Sequence, residues 1–458
     1  MNGVPLPWLP GTMMSLTHAA EVVLVVGCLL VLGLAPRIDR SRVIPAGIGI
    51  GVAVAAILLG MQEAGLARLG LVATGGVLVI GMLLLSSAEL FERRQTPEAA
   101  ALLLVGGIGA VVLVDGKNLL ELALGVEMLS LSGAALVSLG QGQRPLEAGF
   151  KYFVLTAVTF ATLLFGMSLC FLATGSLDVP ALGAVAAGMR PFAVVGVGLF
   201  AVGLCFKLAV VPVHFGALDA YTAGPSSFVG FIMVVSKLGA AIALARVVSG
   251  AGEVLTVPML GIGLVTISFA VVASFAQTDL RRLLAYSAVA HAGFLALGVA
   301  SGSSALGGST QTVAFYVVGY GAAALLAFAC LAGTGTGALP LSAFKPGGSV
   351  QLGPARAIGL IVALLSLAGV PPFPGFWTKL AILQAAWSSW GAAATSIAAV
   401  GGVLGIVYYL RLLPDLFAQA SETRSQSTFG ALTATGLLLF AVIVLSCAPG
   451  LAWALAGR

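Results

Sequence analysis

The apolar residues of this chain neither alternate nor keep to one helical face. They run for about 20 residues at a time, the length that crosses hydrocarbon. Short connections carrying Gly, Pro and charge separate the runs. Barrel strands would alternate over about 10 residues, so the pattern predicts helices. Fourteen spans are expected, at 18–36, 43–61, 70–88, 99–115, 118–140, 148–172, 191–213, 226–248, 255–275, 283–301, 312–333, 357–388 (interrupted), 391–413 and 429–448. The expected class is all-α, a polytopic membrane protein of about 14 transmembrane helices. The longest connection, around Gly333 to Arg356, is Gly/Pro-rich, and no segment is expected to fold as a separate aqueous domain.

Two runs are not plain spans. One reads Phe206-Lys-Leu-Ala-Val-Val-Pro-Val-His214, the other Leu367-Ala-Gly-Val-Pro-Pro-Phe-Pro-Gly-Phe-Trp-Thr-Lys379. Proline removes a backbone donor and clashes with the carbonyl one turn back, so Pro371, Pro372 and Pro374 must interrupt a helix. Unwound backbone at membrane depth is tolerated only against protein or a wet cavity. Leu208–Pro212 (LAVVP) and Leu367–Pro371 (LAGVP) differ at one position and fall in the seventh and twelfth spans. Broken helices at matching places in two halves point to an internal repeat.

Composition sharpens this picture. Of 458 residues, 60% are hydrophobic and 8% charged, with mean hydropathy +1.12. A soluble domain carries roughly a quarter charged residues, so this chain cannot cover a water-facing surface. The net charge of +5 comes from scattered arginines with no basic stripe, which argues against nucleic acid. Cys28, Cys170, Cys205, Cys330 and Cys447 lie singly in apolar segments and read as packing residues, without disulfide, zinc or cluster spacing. No Gly-rich phosphate loop follows a strand pattern. No basic stretch precedes the first apolar run, so a cleaved signal peptide is not expected.

Against this background four charges stand out: Glu127, Lys207, Lys237 and Lys379, each within an apolar run. A charge at the bilayer centre costs about 2.5–3.5 kcal/mol on insertion scales, and a chain keeps it for an interior path or a partner. Snorkelling to the headgroups is the alternative, weaker for the central Glu127 and Lys237 than for Lys207 and Lys379 beside the breaks. A static buried pair of Glu127 with Lys207 is another. A lysine suits proton transfer because burial and a nearby carboxylate push its proton affinity in opposite directions. Bringing a lysine from its ordinary ~10.4 to near neutrality takes about 5 kcal/mol, comparable with the ~2.3 kcal/mol per 100 mV of moving a charge across the membrane. Arginine cannot release its proton. His291 sits mid-span with Tyr286 and Ser287 one turn before it, suited to a relay or to plain packing. His214 and Asp219 border the seventh span as candidates for proton loading, and Lys151 reads as a headgroup anchor or a loading residue. No pair of histidines or carboxylates has metal-site spacing, so no bound metal is expected.

Loop arginines and lysines orient the chain. With the N-terminus outside, inward connections hold Arg37, Arg40, Arg42, Arg93, Arg94, Arg144, Arg281, Arg282, Lys345, Arg356, Arg411 and Arg424; outward ones hold Arg68, Lys117, Arg190, Arg246 and Arg458. The excess puts both termini outside.

At these residues the chain resembles the antiporter-like membrane subunits of complex I, most closely the subunit N branch of the proton-pumping NADH-quinone oxidoreductases. The matching stretches are Asn118–Ser130, Glu147–Phe153, Gly203–His214, Gln277–Ser287 with His291, and Ser366–Pro372 through Lys379. Asp219-Ala-Tyr221 and Val235-Ser-Lys-Leu-Gly239 are similar to that branch in particular. The chain departs from the family at Tyr221–Ser227, which lacks an acid and a proline, at Ala99 and Ala100, which stand in for aromatics, and at Gly133, where proline is common. The resemblance implies two inverted five-helix repeats with broken helices in spans 7 and 12. Residues 1–98 would hold helices 1–3, 99–250 the first repeat (helices 4–8), 251–413 the second (helices 9–13) and 414–458 helix 14. It implies a proton pathway of Glu127, Lys207, Lys237 and Lys379, with His291, Lys151 and His214 secondary. NADH, FMN, iron–sulfur clusters and quinone are expected on other subunits, with none bound by this chain. Expected partners are the antiporter-like and quinone-site subunits and the lipid bilayer of a bacterial inner (plasma) membrane. The alternatives are a subunit of a multisubunit Mrp-type cation/proton antiporter and a stand-alone solute transporter.

Overall fold

The computed structural model describes residues 16–38, 43–85, 95–185, 188–302, 309–420 and 428–457. The described residues form helices and no strands: α1 (Leu16–Ile38), α2 (Val43–Gly60), α3 (Gly65–Leu84), α4 (Thr96–Asp115), α5 (Leu119–Ser138), α6 (Gln143–Thr174), α7 (Arg190–Leu208), α8 (Phe215–Ala223), α9 (Ser226–Ala251), α10 (Glu253–Phe275), α11 (Leu280–Ala300), α12 (Ser309–Leu331), α13 (Pro354–Ala368), α14 (Pro374–Leu410), α15 (Leu413–Ala420), α16 (Phe429–Cys447) and α17 (Pro449–Gly457). Among them 12 are long and apolar enough to cross a membrane, and α1 and α13 add shorter apolar helices. The protein is therefore an integral, multi-pass membrane protein.

Burial sorts these helices. α9 is enclosed on every side, and α11 and α12 nearly so. α6 and the second half of α14 turn rows of large apolar side chains outward, among them Phe150, Phe165, Val400 and Val403. Close backbone approach sets the helices that carry the key side chains. A Cβ at Gly109 or Gly125 would press on the other's carbonyl at 2.9 Å, which fixes α4 against α5; Gly263 and Gly293 do the same for α10 and α11.

The chain breaks where the prolines require. α7 stops at Leu208, and Ala209 takes a left-handed conformation (φ 66°) with its N–H on the carbonyls of Cys205 and Phe206. α13 stops at Ala368, and Gly369 (φ 83°) bonds Leu365 and Ser366 in the same way. Hydrogen bonding thus matches Ala209 with Gly369. The pentapeptide match had paired Ala209 with Ala368, so the true correspondence is shifted by one residue. Local hydrogen bonds, not side-chain identity, decide where the helix ends. A second pair of features is also built alike: Asn118 caps α5 and bridges to Asp178, while Asp279 caps α11 and bridges to Pro340. Gly391, non-helical at φ 71°, divides α14 in two.

Some expectations need correction. The third span lies nearer the N-terminus than 70–88, because α3 already starts at Gly65. α6 begins at Gln143, five residues before its expected start at 148, so Lys151 lies inside the helix and not at its start. Arg281 and Arg356, counted as loop charges, are 1% and 5% exposed. Arg356 donates to the carbonyls of Cys330 (2.8 Å) and Ala332, and Arg281 to Thr334 Oγ1 (3.0 Å) and the Gly335 carbonyl, so both hold the end of α12. Guanidinium groups suit the negative end of a helix, where the last carbonyls lack partners. Arg40, Arg42, Arg93, Arg94, Arg424 and Arg458 lie outside the described residues, as does the side chain of Arg37.

Replacing Arg356 with leucine should strand those carbonyls. The expected loss is about 1–3 kcal/mol of stability, read as a lower thermal midpoint of the purified protein. An unchanged midpoint would show that the cap carries no stability.

Candidate functional site: a buried lysine axis

Two of the three intramembrane lysines, Lys237 and Lys379, are held by the backbone of a broken helix. The last carbonyls of any helix lack intrahelical partners and carry partial negative charge. Lys237, fully buried in the middle of α9, places Nζ 3.1 Å from the carbonyl of Leu208, the final residue of α7. Lys379, in the helix after the second break, donates to the carbonyls of Leu367 (2.8 Å) and Ala368 (2.9 Å), the final residues of α13. Two ammonium groups thus use the same device at two breaks. Neither snorkels, because both ammonium groups are engaged inside the protein.

Lys207 lies one residue before the end of α7. Its Nζ bonds Ser130 Oγ on α5 at 3.1 Å and Tyr152 OH on α6 at 3.2 Å, and sits 5.5 Å from the Tyr152 ring centre. A direct ion pair of Lys207 with Glu127 is not formed. Glu127 lies one turn before Ser130, on the same face of α5, and its Oε2 is buried without a hydrogen-bond partner. Tyr221 lies below Lys237, its ring centre 5.8 Å from Nζ. A buried cation over an aromatic face gains attraction without losing a mobile proton.

His291 occupies the middle of the axis. Its Nδ1 is 2.7 Å from Tyr316 OH, its ring is 4.6 Å from that of Tyr320, and Lys237 and Lys379 are the charges that act on it. Lys151 does not join this group. It pairs with Glu147 at 2.6 Å with its side chain 52% exposed, beside a cavity of about 180 Å³ that Arg144, Asp219 and Arg282 also line. His214 stays apart from them, its Nδ1 3.3 Å from the carbonyl of Pro212 two residues earlier and its ring packed on Phe269 at 5.0 Å. Among the described residues no three of His, Cys, Asp and Glu gather as metal ligands would.

Sequence reasoning missed Ser130, Tyr152, Tyr221, Tyr316 and Tyr320. A signal existed: only seven residues are tyrosine against 23 phenylalanines. In lipid-facing positions phenylalanine suffices, so each tyrosine in so apolar a chain marks a place that uses a hydroxyl.

The family model described as NADH:quinone oxidoreductase/Mrp antiporter, TM, matches residues 116–405, which span both breaks and all three lysines. NADH-quinone oxidoreductase subunit N of Geobacter metallireducens is 35% identical over 362 residues, 77% of this chain and 76% of the relative. NADH-quinone oxidoreductase subunit 14 of Thermus thermophilus is 37% identical over 358 residues, 76% and 78% of the two chains. A chain of respiratory complex I from Thermus thermophilus superimposes with a TM-score of 0.79 at 29% identity, covering 96% of this chain and all of that one. A chain of the Mrp complex from Dietzia superimposes as well, at 0.80 over 97% of each chain, but at 18% identity this is a likeness of fold alone. The chain therefore belongs to the NADH:quinone oxidoreductase/Mrp antiporter transmembrane family, and the relatives named above are subunits N and 14 of NADH-quinone oxidoreductases.

Proposed function

We propose that this chain is the proton-translocating membrane subunit of a respiratory NADH-quinone oxidoreductase, passing protons along its buried lysines while other subunits reduce quinone. The observation that carries this reading is the seating of Lys207, Lys237 and Lys379 at the ends of two broken helices. Lys207 is carried on the last turn of α7, and Lys237 bonds the carbonyl of Leu208 that ends it, so both ammonium groups are tied to one helix end. Glu127 modulates Lys207 from one turn before Ser130, His291 links Lys237 with Lys379, and the Lys151–Glu147–Asp219 cavity and, apart from it, His214 serve proton loading. NADH, FMN, iron–sulfur clusters and quinone belong to partner subunits in this reading.

The similar caps at Ala209 and Gly369, with the paired bridges at Asn118 and Asp279, support two inverted five-helix repeats, 99–250 and 251–413. Counting α1 and dividing α14 at Gly391 supports 14 spans, flanked by 1–98 and 414–458. The excess of inward arginines favours both termini outside a bacterial inner membrane. A subunit of an Mrp-type antiporter shares the fold, but the sequence relatives are oxidoreductase subunits.

The test is a double-variant cycle in the assembled complex, reading protons moved per quinone reduced. Lys207→Ala and Glu127→Gln should each lower that ratio, and together they should depart from additivity by about 0.5–3 kcal/mol. Normal pumping by Lys207→Ala would remove the reading.

A further inference from the structure

Behind the helix that carries Lys237 lies a cavity of about 480 Å³, set at mid-helix depth among α2, α3, α9, α12 and α16. Every residue that lines it is Val, Ile, Leu, Ala or Gly. Water stays in such a space only where several polar groups hold it, so the occupant must be apolar. Left empty, the space would leave its lining atoms without contacts on one side.

The cavity opens sideways. Its rim includes Val54 on α2 and Leu437 on α16, both exposed, and the exposed Leu58 and Phe440 extend the same faces by one turn. The opening is thus continuous with the surface that this membrane-spanning chain turns to hydrocarbon. The floor is buried: Val77 and Ile80 of α3, Val234 and Leu238 of α9, and Val317 of α12. Two glycines in the wall differ in what they do. A Cβ on Gly321 would meet Val234 Cγ1 at 2.9 Å, so Gly321 lets α12 approach α9. A Cβ on Gly76 would meet nothing within 4 Å, so Gly76 keeps space free and brings no helix closer.

A cation stands above this space. Arg68, near the Gly65 end of α3, lies one and two turns before Val72 and Gly76 on the same face. Its Nε donates to the Glu63 carbonyl at 2.7 Å, which anchors the side chain at that end of the helix. A guanidinium carries further N–H donors in a fork that fits phosphate. An arginine near the end of a span reaches for the headgroup layer.

We propose that this cavity is a binding site for one acyl chain of a bilayer phospholipid, which enters between α2 and α16 and has its phosphate held at Arg68. The acyl chain exchanges one hydrocarbon surrounding for another, so close packing and the phosphate contact hold it there, without a hydrophobic driving force. It packs on α9 at Val234 and Leu238, on either side of Lys237 in the sequence. The site stands independently of the proton path.

The test uses the assembled complex in proteoliposomes that contain phosphatidylglycerol with a diazirine midway along one acyl chain. After irradiation, adducts are mapped by mass spectrometry and the content of assembled complex is measured alongside. In the parent, adducts should appear on the buried Val77, Ile80 and Val317 as well as on the exposed face of α6. Gly76→Leu puts a side chain into the free space and should lose the buried adducts while keeping those on α6. Ala322→Leu fills the cavity from α12 and should do the same. The parent's adducts decide the matter even where a filled variant fails to assemble. Arg68→Gln should lower the buried adducts and leave those on α6 unchanged. Adducts confined to exposed faces in the parent would overturn the site, leaving the space empty or filled by a neighbouring subunit. Buried adducts that persist in both filled variants would overturn it too. Unchanged buried adducts in Arg68→Gln would remove the phosphate contact from the proposal.

Discussion

Replacing Lys237 should reduce proton translocation by about tenfold or more, the kinetic equivalent of ~1.4 kcal/mol, while the complex still assembles. Proton transfer needs heavy atoms within about 2.6–3.2 Å or one water apart. Lys237 reaches that range only because its four-carbon stem crosses from α9 to the Leu208 carbonyl. Alanine leaves a gap that no neighbour spans. Methionine fills the volume without carrying a proton, and it separates lost chemistry from lost packing in a helix enclosed on every side. Arginine keeps the charge and the hydrogen bond to Leu208, but cannot give its proton up. All three variants should therefore fail to pump. Pumping by Lys237→Arg at the parent rate would show that the site needs fixed charge alone. Pumping by Lys237→Met would show that it needs neither.

How much of this was visible in the sequence depended on the signal's chemistry. A lysine within twenty apolar residues is conspicuous because burying its charge is costly, so the sequence alone puts Lys207, Lys237 and Lys379 inside. Prolines 371, 372 and 374 announced one break, and Pro212 the other. The partners of these lysines were not visible. Leu208, Leu367 and Ala368 contribute backbone carbonyls, which every residue has, and only the fold selects which of them face a cation. Lys151 illustrates the opposite case. It sits in a similar apolar setting, yet Glu147 one turn earlier holds it at the surface, and the four-residue spacing of that pair was open to reading. Arg281 and Arg356 looked like solvated loop charges. They are buried because α12 ends beside them, a tertiary fact with no local trace.

The second large effect is expected at Gly369. Its φ of 83° is one that alanine adopts at a cost of about 1–2 kcal/mol. The added Cβ would also lie 3.0 Å from Lys379 Cδ and 3.2 Å from Nζ. The stem of Lys379 must then give way, and the ammonium that gives way leaves the carbonyls of Leu367 and Ala368. Gly369→Ala should accordingly lower protons moved per quinone reduced by about tenfold, the effect expected of a lost transfer contact. Lys379→Met should do so at least as strongly. In the Lys379→Met background the glycine substitution should change the ratio no further, because it acts through a side chain already removed. Ala209→Gly, at the corresponding cap of the first break, relieves a left-handed alanine and should leave pumping unchanged. A parental ratio in Gly369→Ala, or a further fall when it is added to Lys379→Met, would show that the second break does not work by seating the Lys379 ammonium.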